Sequence, residues 1–205
     1  MTEITAQMVK QLRDMTGAGF NDCRAALQEN GADLEKAADF LRKKGVATAA
    51  KKAGRSANDG IIQTYMHHNG RLGVMVEVNC ETDFVARNEA FKAFSKELAL
   101  HIANLAPRYV KREDVPEAEV AKEREIQLAR TMNEGKPQNV AEKIVEGRMS
   151  KWFEEVALME QVWLHDDNKK VKDVLTGLIA EIRENIVIRR FARFALGEGE
   201  ETTNE

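Results

Sequence analysis

The 205-residue sequence predicts an α+β fold: a small three-helix module, then a three-stranded antiparallel sheet packed with helices, with a projecting antiparallel helical hairpin. Three observations carry this. Apolar residues first recur at three- and four-residue steps, the period of a helix. From residue 61 they alternate about an Asn-Gly pair, the pattern of a half-buried hairpin. Beyond residue 88 the helical period returns, until a last strand-like run at 186–196.

Ile4, Met8, Leu12 and Met15 make the first helical stripe, which Thr16-Gly17-Ala18-Gly19 ends because two glycines allow turns that a Cβ forbids. Phe20, Cys23 and Leu27 make a second, stopped at Asn30-Gly31. Asp33 is placed as the N-cap of a third, with Leu34, Ala37, Ala38 and Leu41 inward, Lys43 and Lys44 in the last turn and Gly45 at C′. Val46 to Asn58 reads as a partly helical linker. Ile61 to His67 and Leu72 to Cys80 are the hairpin strands, with Leu72, Val74, Val76 and Val78 on one buried face. Phe91, Phe94, Leu98, Ile102 and Leu105 stripe a long helix that ends before Pro107. Pro116 starts the next helix, which stops at Gly135-Lys136-Pro137; Val140, Ile144, Val145, Met149 and Trp152 mark its neighbour. So short a link makes these two antiparallel, and their thin apolar stripes suit an arm. Val171, Val174, Leu175, Leu178 and Ile182 mark a helix broken at Glu184-Asn185, before the closing strand 186–196.

Composition narrows the function classes. Apolar residues are 43% and charged residues 32%, a globular balance. A net charge of −3 supplies no global cationic field, so direct nucleic-acid binding is not expected. No apolar run is long enough for a membrane span, and the start of the chain lacks the basic and apolar regions of a signal peptide. With only Cys23 and Cys80, no disulfide framework or zinc cluster is implied, and a reduced cytoplasmic protein is the expectation. The charge is uneven: residues 1–58 carry ten basic and seven acidic groups, residues 59–205 twenty-one and twenty-seven. The division expected is a three-helix module at 1–45, a basic linker at 46–59, an α+β core at 60–197 with the helical hairpin at about 116–155, and an acidic tail at 198–205.

No phosphate loop, dinucleotide fingerprint or nucleophile elbow is present. His67 and His68 are neighbours that a strand would point to opposite faces, and His101 and His165 lack a ligand-spaced partner, so no metal site is expected. Cys23 lies on an apolar stripe, where a thiol is ordinarily inert. One segment departs from pattern: Phe84-Val85 sits between strand and helix, beside Glu81, Asp83 and Arg87. Either Asp83 or Asn88 caps the helix and Phe84 folds back into the core, or Phe84 is an apolar wedge offered to a partner.

Thr82-Asp83-Phe84-Val85-Ala86-Arg87-Asn88 resembles the signature of the bacterial elongation factor Ts family. Val9-Lys10-Gln11-Leu12-Arg13, Thr16-Gly17-Ala18-Gly19 and Asp22-Cys23-Arg24-Ala25-Ala26-Leu27 resemble the family's N-terminal module. Ala49-Ala50-Lys51-Lys52-Ala53-Gly54-Arg55 resembles its linker and Val76-Glu77-Val78-Asn79-Cys80-Glu81 the approach to the signature. Gly135-Lys136-Pro137 and the run Ala141 to Met149 resemble its helical arm. The resemblance implies a translation elongation factor that exchanges nucleotide on elongation factor Tu without bond chemistry. The N-terminal module would have a ubiquitin-associated-like fold and dock on the nucleotide domain. Phe84 would insert beside the nucleotide and dislocate Mg²⁺, Asp83 would make supporting polar contacts, and Thr82 and Val85 complete that segment. Lys10, Arg24 and Lys52 are further candidate contacts. GDP, GTP and Mg²⁺ would belong to the partner, and no cofactor is expected here. Long members of the family carry two similar core halves; this chain has parts of each, so a homodimer or a dimer of heterodimers is an expectation. The alternative is an RNA-binding translation factor using residues 43–55 with Arg189, Arg190 and Arg193; an enzyme built on Glu81, Asp83 and the histidines ranks last.

Overall fold

A computed structural model describes residues 4–135 and 137–198. The acidic tail from Gly199 onward and Lys136 of the Gly-Lys-Pro link lie outside the described residues. The architecture is α+β, with a three-stranded antiparallel sheet and eight helices among the described residues.

The first three helices are α1 (Ala6–Thr16), α2 (Phe20–Glu29) and α3 (Leu34–Lys52). Thr5 caps α1 by accepting the Met8 amide, and Asp33 caps α3 by accepting the Lys36 amide. Val9, Leu12, Cys23, Ala26, Leu27, Ala37 and Leu41 form their shared core. Two stripe positions need correction: Met15 and Phe20 are exposed, whereas Val9 and Ala26, outside the stripes, are buried. Gly45 is also not a C′ residue. α3 runs on to Lys52 through what reads as linker, and Gly45 lies where a Cβ would sit 3.5 Å from that of Ala180. The glycine marks a close approach of two helices rather than an end.

β1 (Asp59–Met66) and β2 (Leu72–Cys80) follow. Their link is a turn in which the Gly70 amide donates to the His67 carbonyl at 2.8 Å, with Gly70 at φ +69°. Val74, Val76, Val78 and Cys80 are buried on one face of β2. β5 (Val187–Ala195) completes the sheet in the order β1-β2-β5. Gly60, at φ +144°, could not carry a side chain: a Cβ there would come 2.2 Å from the Val78 carbonyl oxygen.

After the one-turn helix α4 (Asp83–Ala86), α5 (Glu89–Leu105) buries Phe91, Phe94, Leu98 and Ile102, but Leu105 at its end is exposed. α6 (Glu117–Asn133) and α7 (Gln138–Val156) form the helical hairpin. Val145, Met149, Phe153 and Val156 pack with Val115, whereas Val140 is exposed. The thin stripes are supplemented by polar links: Arg148 donates to the buried Thr131 hydroxyl at 2.9 Å and to both Glu134 carboxylate oxygens. A short hairpin of β3 (Val162–Trp163) and β4 (Asp166–Lys170) precedes α8 (Val171–Ile182). Sequence periodicity misses it because its strands are too short and polar to show an alternation. The chain divides by proximity into two compact units, Met1–Ile62 with Glu77–Ser95 and Asp173–Ile188, and Gln63–Val76 with Lys96–Lys172 and Arg189–Glu205.

Candidate functional site

The out-of-pattern segment lies in the first of these units. β2 ends at Cys80, whose thiol donates to the Thr82 carbonyl at 3.1 Å. Thr82 is extended and is the N-cap of α4, accepting the Val85 amide on its hydroxyl oxygen. Neither Asp83 nor a folded-back Phe84 closes this turn. Asn88 caps the following helix, accepting the Ala90 amide at 2.8 Å. The turn sends neighbouring side chains in opposite directions: Val85 is 6% exposed and Phe84 80% exposed. The alternative in which Phe84 packs into the core is therefore excluded. Asp83 is exposed beside it and pairs with Arg87 at 2.8 Å, one helical turn away.

Carboxylates from within the same unit brace this turn. Glu184 Oε2 accepts the Glu81 and Thr82 amides, each at 3.1 Å, and Glu184 Oε1 accepts the Thr82 hydroxyl at 2.8 Å. In return Glu81 accepts the Asn185 amide at 2.6 Å and pairs with Arg55 at 3.5 Å. The Asn185 amide, then Arg55, hold the Glu81 carboxyl below its ordinary range. Asn185 is itself buried, and its side-chain amide donates to the Arg55 carbonyl at 2.7 Å. Burial, reinforced by the charges of Glu184 and Asp59, pushes the Cys80 thiol up to about 11, which leaves it protonated and unreactive near neutrality.

Lys10 and Arg24 stand exposed on α1 and α2, and Lys52 is half-buried in the last turn of α3; none of them forms an ion pair among the described residues. Some of the cations that the RNA-binding alternative would use are spent on internal pairs. Lys44 meets Asp22 at 2.8 Å, Arg55 meets Glu81, and Arg193 is paired with Glu198. Lys44, then Arg183, lower the Asp22 carboxyl. Glu184 and Asn185 are contributions that periodicity could not single out, since in the sequence they read only as the break after a helix.

Among the described residues, no group of three or more His, Cys, Asp or Glu side chains could hold a metal ion. His67 and His68 do not sit on opposite strand faces: His67 lies just past β1, and the two rings come within 4.2 Å of each other, centre to centre. His101 is buried. Its Nδ1 accepts the Leu164 amide at 3.3 Å, which leaves Nε2 to donate to Gln161 at 3.0 Å, and burial depresses its pKa. No described helix is long and apolar enough to cross a membrane.

The family model described as elongation factor TS matches residues 46–198. The chain is 57% identical over 201 residues to elongation factor Ts of Thermoanaerobacter sp. (strain X514), covering 98% of each chain. It is 57% identical over 196 residues to elongation factor Ts of Carboxydothermus hydrogenoformans, covering 96% of this chain and 90% of that one. With elongation factor Ts of Anaeromyxobacter sp. (strain K) it shares 55% over 205 residues, all of this chain and 94% of the other. Matched along nearly its whole length by relatives of similar length, the chain belongs to the elongation factor Ts family of translation elongation factors.

Proposed function

We propose that this protein binds elongation factor Tu carrying GDP and promotes release of the nucleotide, with Phe84 entering beside the nucleotide site and dislocating Mg²⁺. It breaks and forms no covalent bond and carries no cofactor; GDP, GTP and Mg²⁺ are the partner's. The observation that supports this reading is the 80% exposure of Phe84 on a capped turn whose next side chain, Val85, is buried. An aromatic ring left in water at the end of a strand gains most when a partner buries it, and the fixed turn limits the entropy lost on docking.

Magnitudes set the size of the role. Burying a phenylalanine contributes roughly 1.5–3 kcal/mol, or about one to two decades of equilibrium constant. A larger effect requires the wider interface, in which Thr82, Asp83 and Val85 shape the turn and Lys10, Arg24 and Lys52 supply charge. The wedge acts only through its different affinity for the two states of the partner. If this protein weakens GDP binding, GDP weakens the binding of this protein by the same factor. The test is stopped-flow release of labelled GDP from elongation factor Tu with and without the full chain. Acceleration by the chain, and loss of about tenfold to a hundredfold of it in Phe84→Ala, is the expected result; unchanged stimulation by that variant overturns the wedge.

A further inference from the structure

We propose that Glu184 is a positioning residue for nucleotide exchange, its carboxylate fixing the turn from which Phe84 is presented. The inference rests on the reading of Phe84 as the wedge. A four-residue helix cannot sustain itself in water, because nucleation costs more than one turn of hydrogen bonds returns. The α4 turn therefore needs an external brace, and Glu184 supplies three acceptor contacts to the two residues before it, Glu81 and Thr82.

The Thr82 hydroxyl makes the coupling specific. Its hydrogen donates to Glu184 Oε1 at 2.8 Å while its oxygen accepts the Val85 amide at 3.4 Å. Both capacities of one hydroxyl are thus used, and the cap of the wedge turn is oriented by the carboxylate behind it. Hydrogen bonds to an ionised acceptor are the stronger kind. Glu184 is in turn fixed by its neighbours. Arg183 leaves α8 in the left-handed region at φ +65°, and its guanidinium meets Asp22 of α2 at 3.0 Å. Asn185 donates its amide to Glu81 and its side chain to the Arg55 carbonyl. Three consecutive residues thereby tie α2, the segment after α3 and the wedge turn together within one compact unit. Glu184 need not touch the partner; it acts through Thr82 and the orientation of Phe84.

The experiment compares Glu184→Ala, Phe84→Ala and the double variant of the full chain in labelled-GDP release from elongation factor Tu at saturating concentration. Glu184→Ala is expected to lower the saturating rate about fivefold to tenfold, with the half-saturation concentration moved by less than about twofold. A merely structural defect would lower the active fraction and leave the saturating rate intact. Glu184→Gln, which keeps one carbonyl acceptor for the two amides, is expected to recover most of the rate. In the Phe84→Ala background, Glu184→Ala should cost nothing further. An unchanged rate in Glu184→Ala, or losses that multiply in the double variant, overturns the proposal while leaving Phe84 in its role. An unchanged rate in Phe84→Ala alone removes the wedge itself, and the positioning role with it. Should Glu184→Ala fail to fold, Thr82→Val removes the hydroxyl that joins Glu184 Oε1 to the Val85 amide, leaving the two amide contacts in place. Its loss must then be absent in the Phe84→Ala background, and independence from Phe84 overturns the proposal.

Discussion

Phe84 and Val85 are adjacent and both apolar, yet they answer to different forces. Val85 is buried, so truncation to Ala removes core contacts and is expected to cost roughly 1–3 kcal/mol of stability. Phe84 is already in water, so Phe84→Ala should change stability by less than about 0.5 kcal/mol. Urea unfolding of the two variants checks this. Equal destabilisation would mean that Phe84 carries fold energy rather than binding energy. Residue types in the sequence could mark this pair as unusual but could not say which one faces out. That choice follows from the Thr82 cap, which sets the turn one residue earlier than an Asp83 cap would.

At the scale of elements, periodicity located most helices and the hairpin, because burial repeats with the geometry of the backbone. It failed where an end is decided by packing. A glycine after two lysines reads as a helix stop, but α3 continues because its backbone there lies close against Ala180 and Thr176. A Cβ at Gly45 would make an ordinary contact at 3.5 Å. Gly45→Ala is therefore expected to be neutral or to stabilise by up to about 1 kcal/mol, through helix propensity. A clear loss in thermal unfolding would show that Ala180 and Thr176 cannot give way to the added methyl. The short β3–β4 hairpin was illegible for a different reason: its place is set by Trp163 stacking on His101, with ring centres 5.2 Å apart, and by the Leu164 amide on the same imidazole. This gives His101 a pH signature. Its pKa is depressed from the ordinary 6.5, so just below that value the unfolded chain binds more protons than the folded one. The stability contribution is full above about pH 6.5 and falls as the pH drops through the window beneath it. Urea midpoints at pH 7.5 and 5.5 should differ for the native chain and differ less for His101→Gln; an unchanged difference would show that another group carries the slope.

For the whole molecule, the net charge of −3 conceals a basic N-terminal stretch and an acidic remainder. The structure shows part of that basicity spent internally, in the pairs Lys44–Asp22 and Arg55–Glu81. Large apolar side chains stand exposed, among them Met66, Met75 and Phe194. We propose that self-association buries them, which a sedimentation concentration series tests; a chain monomeric well into the micromolar range would refute it. The sequence by itself determined the fold class and the order of the principal elements, and it marked Phe84-Val85 as out of pattern, because each is written in local spacing or in a contiguous motif. Only the tertiary structure decided that Phe84 faces outward and that Glu184 braces its turn. The first depends on which residue caps a one-turn helix, and the second on groups 102 residues apart; a carboxylate that meets two distant amides leaves no periodic trace in the chain.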